Sequence, residues 1–310
     1  MGTTNIEWCD AVWNPVRGCA RVSPGCERCY AERQAHRFSG HDQPYQGLTV
    51  VGRHGPRWTG RARFEPAMLG APFAWREPRR VFVNSMSDLF HDDIADEDIA
   101  AVFGVMAWSP QHTFQVLTKR PERMQRLLSK WTIDDAWWAT MKYESLGIHD
   151  RAARRRKCEA PKHPSVRTDA WPLPNVWVGV SVEDQERAVE RIPLLQQTPA
   201  AKRWLSMEPL LAEVDLSWRL LDGLAWVVVG GESGHNARPC DLEWIRSVLR
   251  SCATYALPCF VKQLGRRPHD WATPLDRLAL RLADPKGGDM AEWPSEFRIR
   301  EFPRPALGLS

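Results

Sequence analysis

The chain has 310 residues, a formal net charge of +4 and a hydrophobic content of 43%. This composition excludes an intrinsically disordered chain, and it contains no run of about eighteen apolar residues that would span a membrane. Because no charged and then apolar signal precedes the first motif, we expect a cytoplasmic protein without a membrane partner. Thiols stay reduced in that compartment, so the eight cysteines favour metal binding or reactive thiols over a disulfide framework.

Three of the cysteines lie in one short loop, residues 13–32, which is rich in Gly and Pro. Their spacing is C-x6-C-x2-C, and the three are Cys19, Cys26 and Cys29. A glycine directly precedes the first two, as expected where the backbone bends closely around an inorganic centre. Three thiolates so close in sequence indicate a metal centre.

The number of thiolates limits the kind of metal centre. A [4Fe-4S] cluster held by three cysteines leaves one iron open to bind a cofactor. A structural zinc site needs a fourth ligand, for which His36 and Cys9 are near enough in sequence. The residues alone leave both centres open.

The N-terminal third of the chain predicts few regular elements. A short strand near Ile6 to Trp13 precedes the cysteine loop, and Ala31 to Phe38 predicts a short helix after it. Ser39 to Pro78 has no sustained period, so we expect an irregular excursion. A segment of this kind is either a functional lid or substrate-binding segment, or an ordinary ordered loop.

From residue 80 onward, apolar runs of strand length alternate with helical periodicity. The predicted strands are Arg80–Asn84, Thr113–Leu117, Asn175–Val180, Arg203–Ser206, Ala225–Val229 and Pro258–Val261, and the predicted helices are Asp96–Trp108, one that opens at Pro121, Glu186–Gln196 and Leu242–Tyr255. Apolar strands separated by helices indicate a parallel sheet covered by helices. We expect an α/β fold, a partial or full (β/α) barrel with irregular insertions, and keep an open doubly wound sheet as the alternative.

The predicted organisation is a barrel over residues 1–265 with insertions at about 39–78 and 130–174, followed by a closing C-terminal segment over 266–310. The second insertion holds Trp137, Trp138 and a basic run over 151–157. Arginine beside tryptophan is typical of a surface that binds a nucleic acid backbone and stacks on bases. A solvated basic helix face has the same composition.

Polar residues follow nearly every predicted strand, and the chemistry of parallel barrels gathers at these ends. They are Asn84, Ser85, Ser87, Asp88, Thr118, Lys119, Arg120, Ser181, Glu183, Asp184, Ser206, Glu208, Gly230, Gly231, Glu232, Ser233, Lys262 and Gln263. A barrel with only a structural role would not need so many. The alternative for each residue is a helix cap or a turn.

The motif NPVRGC, followed by GC and then CYA, resembles the signature of radical S-adenosylmethionine (SAM) enzymes similar to spore photoproduct lyase. That family spaces its first two cysteines C-x3-C, whereas this chain has three more residues there. The pattern also resembles phage Gp37/Gp68-type (DUF5131) proteins. The resemblance implies a TIM-barrel-like fold of radical SAM type, a [4Fe-4S] cluster on Cys19, Cys26 and Cys29, and SAM as the cofactor on the open iron.

The resemblance also implies roles for residues at the strand ends. Lys119 would approach the SAM carboxylate, and Ser181 would also contact SAM. Glu183 would hold the ribose hydroxyls, and the turn Asn84–Asp88 would lie near the methionine group. The full set of expected cofactor-binding residues is Tyr30, Ser85, Asp88, Lys119, Ser181, Glu183, Glu208 and Glu232.

The later cysteines divide by their expected positions. Cys240 follows a glycine turn and is expected in a loop at the active face, where its thiol would return a hydrogen atom to a substrate radical. Cys252 on a predicted helix and Cys259 in a predicted strand are expected to be small buried hydrophobes.

The expected function is that of a radical SAM enzyme, a lyase or a transferase, which uses a reducing electron donor to generate a 5′-deoxyadenosyl radical. Because the resembling family repairs a DNA lesion, the resemblance implies nucleic acid as the substrate. Two other functions stay open. One is a non-catalytic zinc-binding module that engages nucleic acid or a partner protein, and the other is a barrel hydrolase whose cysteines are incidental.

Overall fold

Thirteen strands and seven α-helices are formed by the residues that the computed structural model describes, which are 4, 6–53, 55–135, 170–234, 236–270 and 280–304. The strands are β1 (Ala11–Trp13), β2 (Val16–Gly18), β3 (Thr49–Gly52), β4 (Gly55–Trp58), β5 (Ala62–Phe64), β6 (Arg80–Val83), β7 (Thr113–Thr118), β8 (Val176–Ser181), β9 (Lys202–Met207), β10 (Trp226–Gly230), β11 (Cys240–Asp241), β12 (Cys259–Gln263) and β13 (Pro268–His269). The helices are α1 (Tyr30–His36), α2 (Pro66–Leu69), α3 (Asp96–Ala107), α4 (Pro121–Leu128), α5 (Gln185–Gln197), α6 (Trp218–Leu221) and α7 (Leu242–Thr254). None of these helices is long and apolar enough to cross a membrane.

Seven of the strands form one sheet in the order β1-β6-β7-β8-β9-β10-β12, and the pairs β1–β6, β6–β7, β9–β10 and β10–β12 are parallel. The order follows the chain and never reverses, unlike that of a doubly wound sheet. Strands added one after another in this way are typical of a (β/α) barrel, and β1 and β12 lie at the two edges of the sheet. The fold is therefore mixed α/β and is consistent with the predicted partial (β/α) barrel.

The strands and helices predicted from residue 80 onward are confirmed, with ends that agree within two residues. These elements were predictable because every residue of β8 and of β10 is buried, which produces an uninterrupted apolar run. The first strand is shorter than predicted, since β1 begins at Ala11. Trp8 precedes it and is buried against Phe82, with ring centroids 4.6 Å apart.

The chain divides into two compact units, and each is built from several segments. The first unit comprises Met1–Val22, Cys29–Val178 and Gln197–Ala201, and the second comprises Ser23–Arg28, Gly179–Gln196 and Lys202–Ser310. A boundary between the units falls inside the cysteine loop. Cys19 and Cys29 therefore belong to the first unit, and Cys26 belongs to the second.

The segment Ser39 to Pro78 of the first unit is not the irregular excursion that its sequence predicts. β3 and β4 form an antiparallel hairpin on which α1 packs, and β5 pairs with β2, with Arg63 opposite Arg17. Strands of three or four residues are too short to display a repeated alternation, and the β2–β5 pairing joins residues far apart in the chain. The prediction was wrong for this reason. The second predicted insertion lies largely outside the described residues, and so do its tryptophan pair and its basic run.

The C-terminal part of the second unit lies along strand β12. Val261 N–H donates to the Ile299 carbonyl at 2.8 Å, and Glu301 N–H donates to the Cys259 carbonyl at 2.9 Å. Phe260 and Arg300 form an antiparallel bridge between the same two segments. Residues 299–301 thus satisfy backbone groups at the edge of the sheet that β12 would otherwise expose.

Much of the tryptophan content of the chain lies in its core. Among the residues that the structure describes, eight tryptophans are buried: Trp8, Trp13, Trp58, Trp75, Trp177, Trp204, Trp226 and Trp293. In the second unit the rings of Trp204 and Trp226 pack with their centroids 5.5 Å apart. A Cβ on Gly179 of β8 would lie only 2.6 Å from the Trp204 ring, so this position needs glycine to accommodate the indole.

Candidate functional site

The cysteines of the loop differ from the others in exposure. None of the described cysteines forms a disulfide; those in the loop, Cys19, Cys26 and Cys29, are half-buried, whereas Cys9, Cys240, Cys252 and Cys259 are buried. Within the part of the chain that the structure describes, only the loop cysteines are partly accessible. Their sulfur atoms are thus the ones available to an added ligand.

In the first unit, Cys19 lies beside a buried arginine. The Arg120 guanidinium donates to the Ala20 carbonyl at 3.4 Å, and its charge interacts with the Cys19 sulfur. The Arg120 residue is only 9% exposed, so its charge acts on the sulfur with little screening by water. A cationic donor of this kind stabilises the thiolate, which is the form that binds metals.

Asp88 holds Arg120 in this position. Asp88 Oδ2 accepts from Arg120 Nη1 at 3.0 Å and from the Lys119 backbone N–H at 3.1 Å. Its Oδ1 accepts from Thr118 Oγ1 at 2.7 Å and from the Phe90 N–H at 3.0 Å. Each oxygen accepts two hydrogen bonds, so Asp88 ties the turn after β6 to the end of β7.

The pKa of Arg120 is raised above its ordinary value. Burial of the guanidinium is the largest single influence and lowers the pKa, but the Asp88 carboxylate and the Cys19 sulfur together outweigh it. Arg120 therefore keeps its positive charge although it is buried. That charge is fixed next to the first cysteine of the motif.

Lys119 is the other cation at the end of β7. Its residue is half-buried, and its ammonium group makes no ion pair with any residue that the structure describes. A half-buried cation with no anionic partner can bind the carboxylate or phosphate of a ligand. The predicted role of Lys119 as a carboxylate contact stays a prediction.

A second ion pair fastens the first half of the loop. Arg21 Nε and Nη2 donate to the two oxygens of Glu32, at 2.8 Å and 2.6 Å. Glu32 is 2% exposed and also accepts from the Trp58 N–H at 3.0 Å. Cys19 and Cys29 pack against a buried hydrophobic cluster that includes Trp58. Glu32 thus ties the loop to α1 and to the β3–β4 hairpin.

The structure brings the predicted residues Tyr30 and Ser85 together. Tyr30 Oη donates to the Ser85 carbonyl at 2.6 Å, and Ser85 Oγ donates to Asn14 Oδ1 at 3.2 Å. Tyr30 is 53% exposed. Its ring therefore lies at the surface, next to the turn that follows β6.

In the second unit, Glu183 holds the segment that precedes Cys26. Glu183 Oε1 accepts from the Gly25 N–H at 3.2 Å, and Oε2 accepts from Arg191 Nη1 at 3.1 Å. Arg191 Nη1 also donates to the Ser181 carbonyl at 2.8 Å. Glu183 is fully buried and Arg191 is 2% exposed. A Cβ on Gly25 would lie 3.1 Å from the Glu183 carboxyl carbon, which explains the glycine at this position.

Glu232 makes a parallel set of contacts after β10. Its two oxygens accept from Arg238 Nη2 at 2.6 Å and from the Arg238 N–H at 2.7 Å, and Arg238 Nη1 lies 3.3 Å from Glu27. Arg28 donates to the Asn236 carbonyl. The residues on both sides of Cys26 are therefore anchored within the second unit, to Glu183 on one side and to Arg238 and Asn236 on the other.

Glu208 lies in a smaller polar group. Lys262 Nζ lies 3.1 Å from Glu208 Oε1, and Ser206 Oγ donates to Glu208 Oε2 at 3.4 Å. The three residues lie at or just beyond the carboxyl ends of β9 and β12. A carboxylate balanced by one lysine and one hydroxyl is suited to bind hydroxyl groups of a ligand.

Cys240 does not lie in the predicted loop. It pairs with Pro268 in the short strands β11 and β13 and is 1% exposed. Burial raises the pKa of its thiol to about 12. A hydrogen-atom donor does not need to ionise, so its predicted role stays a prediction. Cys252 on α7 and Cys259 in β12 are buried as expected.

The described residues do not form a ready-made group of three or more His, Cys, Asp and Glu ligands. The fourth-ligand candidates for zinc both have other contacts in the first unit. His36 Nδ1 lies 3.0 Å from Thr49 Oγ1 and 3.2 Å from Ser39 Oγ, and the buried Cys9 thiol donates to the Ile6 carbonyl at 3.9 Å. Their present partners are thus side-chain hydroxyls and a backbone carbonyl.

Of the arginines that organise the site, Arg120 was expected only as one of the polar residues at strand ends, and Arg191 and Arg238 were not predicted, although Arg191 carried a signal. Arg191 lies on α5 in line with the buried Ala188, Ile192 and Leu195, at the spacing of an apolar helix face. A charged residue on such a face indicates a buried ion pair. The roles of Arg120 and Arg238 depend on tertiary contacts that no local spacing reveals.

Comparison with known families found one match, to a family described as "Protein of unknown function (DUF5131)", over residues 3–289. No curated protein and no solved structure matches the chain.

Proposed function

The chain belongs to the DUF5131 family, and we propose that it is a radical SAM enzyme whose iron–sulfur cluster is held by Cys19, Cys26 and Cys29. The observation that supports this most directly is the contrast in exposure. The three cysteines at the motif spacing are the partly accessible ones among those described, and the other four are buried. Accessible thiols in a Gly- and Pro-rich loop are suited to ligate a cluster, whereas buried thiols away from it are suited to packing.

The donor chemistry around the loop fits a cluster with thiolate ligands. Arg120 compensates negative charge at Cys19, and hydrogen bonds to ligand sulfurs are one of the means by which proteins tune such clusters. The segment of Cys26 is tied down on both sides, by Gly25 to Glu183 and by Glu27 to Arg238. Cys26 would thus be presented by backbone that the buried Glu183 holds on one side and the Glu27–Arg238 pair holds on the other.

Cys19, Cys26 and Cys29 would hold a cluster whose chemistry, when it is bound and reduced, would be one-electron cleavage of SAM to methionine and a 5′-deoxyadenosyl radical. The role proposed for the residues of the chain is to bind SAM and to orient it. Lys119, whose ammonium makes no ion pair with any described residue, would contact the SAM carboxylate. Within the second unit, the Glu208 carboxylate would accept hydrogen bonds from hydroxyl groups of a ligand. Glu183 and Asp88 act through the backbone and the arginines that they hold, because their oxygens are already engaged.

Metal analysis of anaerobically purified protein tests this proposal. We expect a brown protein with about four iron atoms per chain, as a single cubane cluster requires. Replacement of Cys19, Cys26 or Cys29 by Ala should abolish iron binding. Cys252→Ala is the matched control, because Cys252 is buried on α7 and should not affect iron content. A colourless protein that holds one zinc would overturn the proposal and favour the zinc-binding module.

The catalytic part is tested by adding SAM to the reduced protein and measuring 5′-deoxyadenosine. Lys119→Ala should weaken SAM binding about tenfold, the loss expected for one charge-assisted contact. Lys130→Ala removes an exposed lysine close in sequence and should leave the affinity unchanged. Equal SAM affinity in both variants would remove Lys119 from the site. Loaded iron without SAM cleavage under strong reduction would exclude the catalytic role.

A further inference from the structure

The β3–β4 hairpin and β5 carry an unusual set of charges. Between residues 49 and 64 there are four arginines and no acidic residue. We call residues 49–64 the arginine hairpin. Three of its arginines, Arg53, Arg57 and Arg61, are exposed and form no ion pair with any residue that the structure describes. Surfaces of soluble proteins usually intersperse both signs of charge, so this stretch of one sign needs an explanation.

The fourth arginine of the arginine hairpin, Arg63, differs from the other three because partners within the chain hold its side chain. Arg63 Nε pairs with Glu65 at 2.8 Å, and its Nη2 donates to the Pro44 carbonyl at 3.0 Å. Two partners fix its guanidinium. Among the residues that the structure describes, Arg53, Arg57 and Arg61 form no ion pair of this kind, and all three are exposed.

Apolar side chains are exposed beside these charges. Val50 is 40% exposed and lies opposite Arg57 in the register of the hairpin, so the two side chains share one face. Val51 is 72% exposed and, as the next residue of β3, lies on the other face. An exposed valine directly across from an exposed arginine is not explained by packing within the chain. It is the composition of a contact surface for a partner that is anionic and also offers apolar edges.

The identity of the cations points to phosphate. The segment from Tyr30 to Phe64, which comprises α1 and the arginine hairpin, contains six arginines and no lysine. The planar guanidinium donates two parallel hydrogen bonds to a phosphate, which an ammonium group cannot do. A two-stranded antiparallel ribbon also fits the major groove of duplex DNA, which is about 12 Å wide.

We infer that the arginine hairpin is a docking surface for duplex DNA, with Arg53, Arg57 and Arg61 on the phosphate backbone. This goes beyond the proposed function, which names no substrate, because the charge and exposure of the surface carry it. An anionic membrane is the less favoured partner. Surface-bound proteins usually bury an amphipathic helix face there, and two valines bury little area.

The test is fluorescence anisotropy with full-length, anaerobically purified protein and a labelled DNA duplex of about 20 base pairs, over about 50 to 200 mM salt. The variant is Arg53→Gln, Arg57→Gln and Arg61→Gln together. Each phosphate contact contributes about 0.9 to the slope of log affinity against log salt, so the slope should fall by about 2.7. The affinity at the lower salt should fall at least about tenfold.

Two controls separate the surface from general charge. Arg63→Gln removes an arginine that Glu65 already pairs, so it should change the slope by much less than one unit. A triple variant of Arg76, Arg126 and Arg219 to Gln removes the same charge from exposed arginines elsewhere. Equal losses in this variant and in the hairpin variant would overturn the inference. So would a wild-type protein that binds vesicles with anionic lipids but not the duplex.

Iron content measured on the same preparations keeps the two proposals distinguishable. Iron-free protein whose DNA affinity depends on the arginine hairpin would overturn the radical SAM proposal and support the docking surface. Iron-loaded protein whose hairpin variant binds DNA like the wild type would do the opposite. Circular dichroism of each variant shows whether a loss of affinity comes from unfolding, which is not expected because the three arginines are exposed.

Discussion

The two buried arginine–carboxylate pairs near the motif are alike in chemistry and different in what else they hold. Arg120 lies 3.0 Å from Asp88, and Arg191 lies 3.1 Å from Glu183. The charge of Arg120 also interacts with the Cys19 sulfur. Arg191 has a backbone carbonyl as its second partner. In the first pair it is the arginine, Arg120, that interacts with the motif, at Cys19. In the second pair it is the carboxylate, Glu183, that does so, at the Gly25 N–H.

This difference separates a charge that acts on a predicted ligand atom from a charge that acts only on the backbone. Removal of either arginine should destabilise its unit, because a buried carboxylate would be left without compensation. Only changes at Arg120 should also alter the chemistry of a bound cluster. The four predictions that follow test this distinction.

The largest effect is expected for Arg191→Met. Glu183 would remain buried without its cation, and breaking such a pair costs about 3–5 kcal/mol in the free energy of unfolding. Urea denaturation measures this loss. Arg250→Met is the control, because its pair with Glu243 is largely exposed and should be worth less than about 1 kcal/mol. If the free energy of unfolding falls by a similar amount in the two variants, the buried pair stabilises the protein no more than an exposed pair does.

The backbone role of Glu183 is tested by Gly25→Ala. The new Cβ would lie 3.1 Å from the Glu183 carboxyl carbon, which is tighter than ordinary packing allows. Overpacking of this kind costs about 1–3 kcal/mol and should displace the segment before Cys26. Gly40→Ala is the matched control, because its nearest neighbour is a flexible Gln43 side chain at 3.4 Å. If both variants unfold at the wild-type urea concentration, the close approach does not constrain the loop.

The sulfur contact of the first pair is tested by Arg120→Lys, which retains a cation for Asp88 but loses the planar fork that reaches several partners. If the cluster is present, loss of a cationic donor to a ligand sulfur should disfavour the more negative reduced state. A tenfold change in that equilibrium lowers the reduction potential by about 59 mV. Redox titration followed by electron paramagnetic resonance measures it, and Arg191→Lys should leave the potential unchanged. A shift of equal size in Arg191→Lys would erase the distinction between the pairs.

The smallest effect concerns pH, because the first pair has a titratable neighbour. The pKa of His91 is lowered. Burial of the imidazole is the main cause, and the charge of Arg120 lowers the pKa further. The charges of Asp93, Asp88 and Asp92 raise it but do not outweigh these two effects. His91 Nδ1 accepts from the Asp93 N–H at 3.1 Å, and its buried Nε2 has no hydrogen-bond partner among the described residues. The folded protein therefore holds His91 neutral where the unfolded chain protonates it.

The sign of the pH effect follows from this. The contribution of neutral His91 is fully present above the ordinary pKa of 6.5 and is lost as the pH falls toward the lowered value in the folded protein. The loss is at most about 1.4 kcal/mol per pH unit. Urea denaturation above and below pH 6.5 should show a shallower acid dependence for His91→Gln than for the wild type. Identical acid slopes would exclude His91 as the titrating group.

The sequence predicted the sheet well and the region around the motif poorly, for one physical reason. Strands that are buried along their whole length, such as β8 and β10, consist of uninterrupted apolar residues. Their positions can therefore be predicted without knowing which strands they pair with. The β2–β5 pairing and the β3–β4 hairpin depend on contacts between short segments. Segments this short show no hydrophobic periodicity in the sequence from which the pairing could be predicted.

The candidate site also contains residues that could be predicted from the sequence and residues that could not. Asp88 and Glu183 were predictable as polar residues at strand ends, since acidic groups there interrupt clean apolar runs. Their partners were not, because a carboxylate at a strand end serves a ligand or an arginine equally well until the fold is known. The predicted ribose contact Glu183, for example, has one oxygen on Gly25 and the other on Arg191.

The order of the sheet has a consequence for folding kinetics. β1 pairs with β6 across residues 14–79, which contain the cysteine loop and the arginine hairpin, whereas β9, β10 and β12 follow one another at shorter intervals. The entropic penalty of closing a loop rises only with the logarithm of its length, but folding slows as contacts become less local. The β1–β6 pairing should therefore form later than the β9–β10 pairing. Chain segments around the motif would then stay open longest in a newly made molecule, when a metal centre could still be inserted.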